Sequence, residues 1–308
     1  MTLAGMAALG LPEWLLPALA QGEQEVAFTD IPESFTTAPN EQVRFLDIRR
    51  IDGPLTPRDQ FFAIQHYGQP EVDPATFRLS VTGLADAPLS LSLAELRELG
   101  RTELEAGFEC SGNGPARVQG LASNGRWTGL PLRDLLTRAG VQSAASEVVF
   151  FGHDRGEEDV EFRGRTFTVE QQFGRSLSLG DATRPELLIA HALNGEPLSR
   201  HQGFPARLIV PGWYGVANVK WLSEIHLQDR RYLGKYQARW YRTLRGSTVD
   251  GTTQWAETEV SRMQLKSVIA RVTLAGASHR VRVRAQRRHA APLGRGARRR
   301  RAMAAGRD

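Results

Sequence analysis

The chain has 308 residues, 41% of them hydrophobic and 24% charged, which predicts a globular protein with a sizeable core in one large domain or two smaller ones. The net charge of +5 does not indicate nucleic-acid binding, because twelve arginines at or beyond Arg271 account for the excess of 39 basic over 34 acidic side chains. The single cysteine excludes an internal disulfide bond and a cysteine-rich zinc site, and the sequence has no glycine-rich dinucleotide or P-loop motif.

Residues 1–20 are apolar and rich in small residues, but they are too short and too interrupted by Pro and Glu to span a membrane. The tripeptide Ala18-Leu19-Ala20 resembles an A-x-A cleavage site. We therefore expect residues 1–20 to be the remnant of an export signal whose basic start lies upstream, and the protein to be periplasmic or exported. The alternative is an amphipathic N-terminal helix.

Residues 21–60 read as an extended arm, and the chain that follows predicts many short strands with scattered helices. Because no regular βαβ alternation is visible, the pattern indicates an α+β fold with mixed sheets. Ser92 and Glu95 predict a capping box, and Asn194-Gly195 predicts a two-residue hairpin turn. The predicted strands are Phe77–Val81, Leu89–Leu91, 101–109, Glu147–Phe151 (followed by a turn at 152–154), Leu187–Leu193, Leu208–Val210 and Val219–Leu227, and the predicted helices are Leu93–Leu99, about 130–139 closed by Gly140, and Ser178–Asp181.

The only cysteine, Cys110, lies in the stretch FECSGNG at residues 108–114. Gly112, Asn113 and Gly114 allow left-handed backbone and a close approach of the main chain to a bulky ligand. A thiolate presented in such a loop suits either attack on a substrate carbonyl or the binding of a soft metal. The alternative is a buried, inert thiol that packs like a small hydrophobic side chain.

Three stretches together resemble the sulfite oxidase family of molybdenum-cofactor enzymes: ECSGNG at 109–114, GFPARL at 203–208 and PGWYGVANVKWL at 211–222. The resemblance covers roughly residues 45–270 and implies a molybdopterin-binding domain over residues 21–270. The family's immunoglobulin-like dimerisation domain is expected to be missing or frameshifted, since only the Arg/Ala/Gly-rich segment 271–308 remains. That basic tail is predicted to be disordered, and the homodimer is left open.

The resemblance also assigns site residues. It implies that Cys110 is the thiolate ligand of molybdenum and that Tyr241 is the catalytic tyrosine. The contacts it implies for the molybdenum cofactor, besides Cys110, are His66, Asp154, Gln202, Arg207, Asn218, Val219 and Lys220. A buried phosphate and a polar pterin need such charged and amide partners.

Several of these residues have a plainer structural interpretation. His66 is alternatively a core histidine, Asp154 a turn residue, and Lys220 a solvated strand residue. Tyr241 is alternatively a packing aromatic, because Tyr232, Tyr236 and Trp240 compete for the same role.

The sequence departs from the family pattern around the substrate. Ile64 occupies the place of an arginine, and Arg117 replaces a second arginine only from a shifted position. Trp240 stands where an aspartate is usual, and Gln202 where a histidine is frequent, with His201 displaced by one. Because a dianion needs clustered cations, these departures put sulfite in doubt and leave the molybdenum site intact.

The function implied is that of a molybdenum-cofactor-dependent oxidoreductase that transfers an oxygen atom, oxidising sulfite to sulfate or acting on a related small oxo-anion or sulfur oxide. Electrons would leave to an external acceptor such as a cytochrome, because the chain has no haem-binding CxxCH motif and no flavin motif. No nucleic-acid partner and no stable membrane span are expected. The alternatives are reduction of a sulfoxide-type substrate, an inactive pterin-domain fragment, and a hydrolase that pairs Cys110 with His201.

Overall fold

The structure is a computed structural model that describes residues 23–275. Its strands are β1 (Glu23–Glu25), β2 (Val43–Arg44), β3 (Ala63–Ile64), β4 (Leu79–Gly83), β5 (Leu89–Leu91), β6 (Thr102–Glu109), β7 (Ala122–Pro131), β8 (Glu147–Phe162), β9 (Arg165–Ser178), β10 (Leu188–Leu193), β11 (Glu196–Pro197), β12 (Arg207–Ile209), β13 (Leu222–Gln228), β14 (Arg242–Val249), β15 (Thr252–Glu259) and β16 (Thr273–Ala275). Its α-helices are α1 (Leu93–Leu99), α2 (Leu132–Ala139) and α3 (Leu179–Ala182), with a π-helical turn at Lys235–Arg239.

Two five-stranded sheets form the body of the protein. The first has the order β11–β10–β7–β6, with β12 pairing along the same edge of β10 as β11, and all its pairs are antiparallel. The second has the order β5–β4–β13–β8–β9, in which β4 and β13 run parallel and the other pairs antiparallel. This mixed arrangement confirms the predicted α+β class with mixed sheets.

The largest hydrophobic core lies between these sheets and the helices. In α2 the buried residues Leu132, Leu135, Leu136 and Ala139 follow the spacing of one helical face. A second cluster, rich in aromatic side chains, lies under the first sheet and contains Phe61, Phe62, Phe108 and Trp127. That cluster supports the end of β6, where the cysteine loop begins.

The structure contains the helix caps and the hairpin turn that the sequence predicts from neighbouring residues. Ser92 and Glu95 form the reciprocal capping box of α1. Gly140 ends α2 in the left-handed region at φ 66°, and Asn194 and Gly195 turn the β10–β11 hairpin at φ 54° and 83°. The remaining predicted strands and helices were found within a few residues of their predicted positions.

The predicted turn at residues 152–154 is wrong. Strand β8 continues to Phe162, and residues 152–154 form an irregularity in its pairing with β9 between Phe151 and Arg155. The main-chain N–H of His153 donates to the carbonyl of Trp221 at 2.8 Å, so this segment stays tied to the chain entering β13. The sequence allows left-handed backbone at Gly112, Asn113 and Gly114, but the structure has none at these three residues.

The sequence analysis does not predict two long hairpins. Beyond the bulge, β8 and β9 pair from Arg155–Gln172 to Phe162–Arg165, and β14 pairs with β15 along its whole length. Both arms are largely exposed. The few alternating apolar side chains of the β8–β9 arm, such as Phe162, Phe167 and Val169, are exposed and mark no core-facing strand.

The boundary predicted at residue 270 also differs from the structure. Strand β16 pairs antiparallel with β1, and Arg271 is buried with its guanidinium donating to the carbonyl of Arg49. At least residues 271–275 are therefore part of the fold. The rest of the predicted tail and the predicted export signal at 1–20 lie outside the described residues. Within 23–275, no helix is long and apolar enough to cross a membrane.

Candidate active site

A cleft of about 610 Å³ opens where strands of both sheets end. This volume includes the space at the entrance of the cleft that is open to solvent. Its lining includes seven of the residues assigned from the resemblance: His66, Cys110, Asp154, Arg207, Asn218, Lys220 and Tyr241. These residues come from distant parts of the chain and meet only through the fold.

Cys110 follows β6 directly, in a loop that Asn113 organises. The Asn113 side chain accepts from the N–H of Leu121 at 3.1 Å and donates to Glu109 Oε1 at 2.9 Å. The N–H of Gly112 points at Cys110 Sγ from 3.4 Å. Burial raises the pKa of the Cys110 thiol, and the Gly112 N–H opposes this shift. The loop thus presents one thiol to the cleft, and a bound cation would favour its thiolate form.

Left-handed backbone occurs in this loop at Val118 and Gln119, with φ of 47° and 55°, rather than at the glycines. Gly114 is extended at φ −166°. The side chain of Asn113 instead closes the loop through hydrogen bonds, a local role typical of asparagine.

Arg207 is a buried cation at the back of the cleft. Its Nη1 donates to the carbonyl of Gln202 at 3.0 Å and its Nη2 to the carbonyl of Asn218 at 2.9 Å. The guanidinium also lies over the rings of Phe108 and Trp127, at 5.0 and 5.2 Å from their centres. Burial lowers its pKa to about 9. Its Nε has no partner within the described structure, so one donor remains for an anion.

Lys220 is a second cation, half-buried in the wall of the cleft. Its Nζ donates to Gln65 Oε1 at 3.0 Å and to the carbonyl of His201 at 3.3 Å. Burial and the nearby Arg207 lower the pKa of Lys220 well below its ordinary value, while Asp154 opposes the shift. Burial raises the pKa of Asp154. Its Oδ1 finds no hydrogen-bond partner in the described part of the chain.

The turn before β12 requires a glycine at residue 203. Gly203 has φ 95°, and a Cβ added there would lie 2.7 Å from the Cβ of Lys220. Because the glycine allows this close approach, the turn that carries His201 packs directly against Lys220 in the wall of the cleft. A side chain at residue 203 would push the two apart.

Tyr241 and His66 form a hydrogen bond of 2.9 Å between the phenol oxygen and Nε2. The imidazole stacks on Tyr236, with ring centres 4.4 Å apart, and on Phe173 at 6.0 Å. Burial, with the charges of Lys220 and Lys235, lowers the pKa of His66 to about 4. Burial and the neighbouring Cys110 raise the pKa of Tyr241. At neutral pH this pair is a neutral imidazole and a protonated phenol.

Two assigned residues do not line the cleft within the described structure. Gln202 is buried, and its side chain donates to the carbonyl of Arg58 and accepts from the N–H of Ser199. Val219 is fully buried in the main core. Their contact with a cofactor stays a prediction. Gln202 reaches the cleft indirectly, through its carbonyl, which holds Arg207.

Sequence reasoning did not assign His201 and Trp221 to the cofactor. Both line the cleft, and His201 Nδ1 and Trp221 Nε1 are buried with no partner among the described residues. The signal for His201 was present in its position one residue before Gln202. For Trp221 no local pattern distinguished a cleft-lining indole from a core residue.

The chain is similar to known proteins over the region that contains most of the cleft. The sequence profile of the family described as oxidoreductase molybdopterin binding domain matches residues 66–236, more than half of the chain. The chain belongs to this family. The matched segment holds every assigned site residue except Tyr241, which lies five residues beyond it.

Members of this molybdopterin-binding family with curated names include mitochondrial sulfite oxidase of Homo sapiens, 35% identical over 205 residues, which are 61% of this chain and 36% of that protein. NADH nitrate reductase of Ulva prolifera is 32% identical over 58% of this chain and 22% of its own. Among solved structures, the sulfane dehydrogenase SoxCD from Paracoccus pantotrophus matches with a TM-score of 0.62 and 27% identity, covering 78% of this chain and 59% of that chain. The chain thus spans about a third of the human enzyme's length.

The cleft fits the molybdenum cofactor that the molybdopterin-binding family implies. Three buried nitrogens have no partner in the part of the chain that the structure describes: Arg207 Nε, His201 Nδ1 and Trp221 Nε1. They match the acceptors of a phosphate and a pterin, and the equally unpartnered Asp154 Oδ1 matches a pterin N–H. The single soft ligand of the cleft is Cys110. A metal held by one thiolate takes its other ligands from the group that carries it, which is the donor set of a cofactor site rather than of a protein-only metal site.

Proposed function

We propose that this protein is a molybdenum-cofactor-dependent oxidoreductase that transfers an oxygen atom to a sulfur oxide, with Cys110 as the metal's protein ligand. The observation that carries the proposal is the convergence of one thiol, the buried Arg207 and the half-buried Lys220 on a single cleft of about 610 Å³. Within the described structure neither cation has a carboxylate at ion-pair distance, and such groups are costly unless an anion compensates them. The cofactor's phosphate is such an anion.

Each wall of the cleft has a separate task in this proposal. Arg207, with its free Nε, holds the phosphate, and Lys220 with His201 holds polar atoms of the pterin. Asp154 accepts from the pterin. The bound cofactor supplies a metal centre that cycles through two electrons and exchanges an oxygen atom with the substrate.

In this proposal, Tyr241 and His66 hold and orient protons beside Cys110. The phenol keeps its proton at neutral pH, because its pKa is raised, and the imidazole stays neutral, because its pKa is about 4. Tyr241 therefore donates a hydrogen bond toward oxygen atoms near the thiol, or to Nε2 of His66. By changing its hydrogen-bond acceptor, the Tyr241 phenol can orient a substrate oxygen while neither Tyr241 nor His66 changes its charge.

Electrons are proposed to leave to an external one-electron carrier such as a cytochrome. The protein is proposed to work outside the cytoplasm, which rests on the Ala18-Leu19-Ala20 cleavage-like sequence. Secretion of full-length protein with an intact upstream region tests the second point. Retention of the whole product in the cytoplasm would contradict it.

Metal content tests the central proposal. We expect purified wild type to carry about one molybdenum per chain and to oxidise a sulfur oxide with ferricyanide as acceptor. Cys110→Ser should lose turnover and most of the metal, whereas the exposed control Ser90→Ala should keep both. Equally low molybdenum in wild type and Cys110→Ser would refute the proposal.

A further inference from the structure

A second hollow, of about 630 Å³, opens beside the cleft and shares Ile64, His66, Cys110 and Tyr241 with it. We call the mouth the outer part of this hollow, formed by Arg117, Leu121, Trp240, Arg242 and Val260. Cys110 and Tyr241 lie at its floor, so in the proposed function a substrate would reach the reacting centre through the mouth.

Among the described residues, the mouth contains one cation that no carboxylate neutralises. Arg242 is paired with Glu257 at 2.8 Å. Arg117 is exposed, and its Nη1 donates to the carbonyl of Gly112 at 3.2 Å. Among the ion pairs of residues 23–275, none involves Arg117. One free guanidinium is suited to a single negative charge, and Arg binds a two-oxygen anion well.

Apart from the paired Arg242, the remaining side chains of the mouth are apolar. Leu121 and Val260 are buried, and Ile64 is half-buried at the floor. The indole of Trp240 is 64% exposed, with the Nζ of Lys235 lying 4.1 Å from its ring centre. A free oxyanion of four or five atoms would leave the exposed indole of Trp240 in contact with water, whereas an apolar group on the substrate would cover it.

We propose, resting on the proposed function, that the substrate is an organic sulfinate, an apolar group that carries −SO₂⁻, rather than free sulfite. The reaction is R–SO₂⁻ + H₂O → R–SO₃⁻ + 2 H⁺ + 2 e⁻. The sulfur lone pair becomes a new S–O bond, and both O–H bonds of water break. Two equivalents of a one-electron acceptor, a haem protein or ferricyanide, take the electrons. Arg117 binds the charged head, and Trp240 with Val260 covers the apolar group.

Binding of redox-inert products tests the inference apart from turnover. Titration calorimetry of the cofactor-loaded protein should show benzenesulfonate binding at least 10-fold more tightly than sulfate. Arg117→Gln should weaken benzenesulfonate at least 5-fold, and Trp240→Ala should remove most of the preference over sulfate. The matched control Arg133→Gln, an exposed arginine on α2, should change neither. Equal or tighter binding of sulfate, or no effect of Arg117→Gln, would overturn the inference.

Turnover separates this inference from the proposed function. With ferricyanide as acceptor, kcat/KM for benzenesulfinate should exceed that for sulfite at least 10-fold. A preference for sulfite would overturn the inference and leave the proposed function standing. Molybdenum-loaded protein that oxidises neither compound, yet binds benzenesulfonate as described, would contradict the proposed function and support the mouth's chemistry.

Discussion

The phenol oxygen of Tyr241 lies 2.9 Å from Nε2 of His66, and the two residues are 175 positions apart in the chain. The bond joins the segment after β3 to the segment before β14, and it lies at the junction of the cleft and the mouth. Removing the phenol oxygen alone, in Tyr241→Phe, should leave the ring packing in place. We expect kcat to fall about 100-fold, the scale of one lost proton-handling group, while molybdenum content stays that of wild type. Steady-state kinetics with metal analysis checks this.

Replacement of Arg207 should lower cofactor content as well as stability. Arg207→Met keeps much of the packing against Phe108 and Trp127, but it leaves the carbonyls of Gln202 and Asn218 without these donors. We expect pterin content, measured by fluorescence after denaturation, to fall at least 10-fold, and the melting temperature of cofactor-free protein to fall as well. Arg207→Lys should retain part of the pterin. Full pterin content in Arg207→Met would exclude the phosphate role.

The pH dependence of stability should carry the signature of His66. Its folded-state pKa of about 4 lies below the ordinary value of 6.5. The unfolded chain therefore binds the proton first as pH falls, and stability is lost from about pH 6.5 down to about pH 4. His66→Gln should remove up to about 3 kcal/mol of this loss. Urea titrations of cofactor-free protein at pH 7 and pH 4.5 measure it, and an unchanged pH difference would contradict the burial of a neutral imidazole.

Arg175 should position the aromatic wall around Tyr241. This buried side chain donates to the carbonyls of Tyr236 and Val260 at 2.5 and 2.8 Å, and the N–H of Val260 donates to the carbonyl of Tyr241. Arg175→Met leaves two buried carbonyls without these donors, at a cost of about 2–4 kcal/mol of unfolding free energy. Arg239→Met, a more exposed neighbour, should cost under about 0.5 kcal/mol. Chemical denaturation compares the free energies of unfolding of the two variants, and similar values would rule out this role of Arg175.

The turn before Gly203 offers a separate test of two adjacent residues. His201→Ala should lower pterin content, because His201 Nδ1 faces the cleft without a partner in the described structure. Gln202→Ala should instead lower the stability of the cofactor-free protein, because its amide tethers the turn to Arg58 and Ser199. The reverse assignment of the two effects would show that Gln202 turns toward the cofactor when it binds.

The parts of the fold that were predicted are those determined by local chemistry. The Ser92–Glu95 capping box, the Gly140 cap and the Asn194-Gly195 turn each depend on neighbours within four residues. The strand through residues 152–154 was missed because its continuation depends on pairing with β9 and on the carbonyl of Trp221. Such partners lie far away in sequence.

The site shows the same division. A thiol among glycines indicated a metal or a covalent intermediate, but the spacing along the chain could not bring Cys110, Arg207 and Tyr241 together. Their assignment came from the resemblance, and the fold places all three on one cleft. Gln202 shows where assignment by position fails: the backbone turn directs its side chain to Arg58, while His201 faces the cleft.

X-ray absorption at the molybdenum edge tests the central claim most directly, since it counts the sulfur atoms bound to the metal. The account predicts that wild type has one more sulfur neighbour per molybdenum than any metal retained by Cys110→Ser. An identical sulfur shell and an equal metal content in the two proteins would show that Cys110 is not the ligand and would contradict the account.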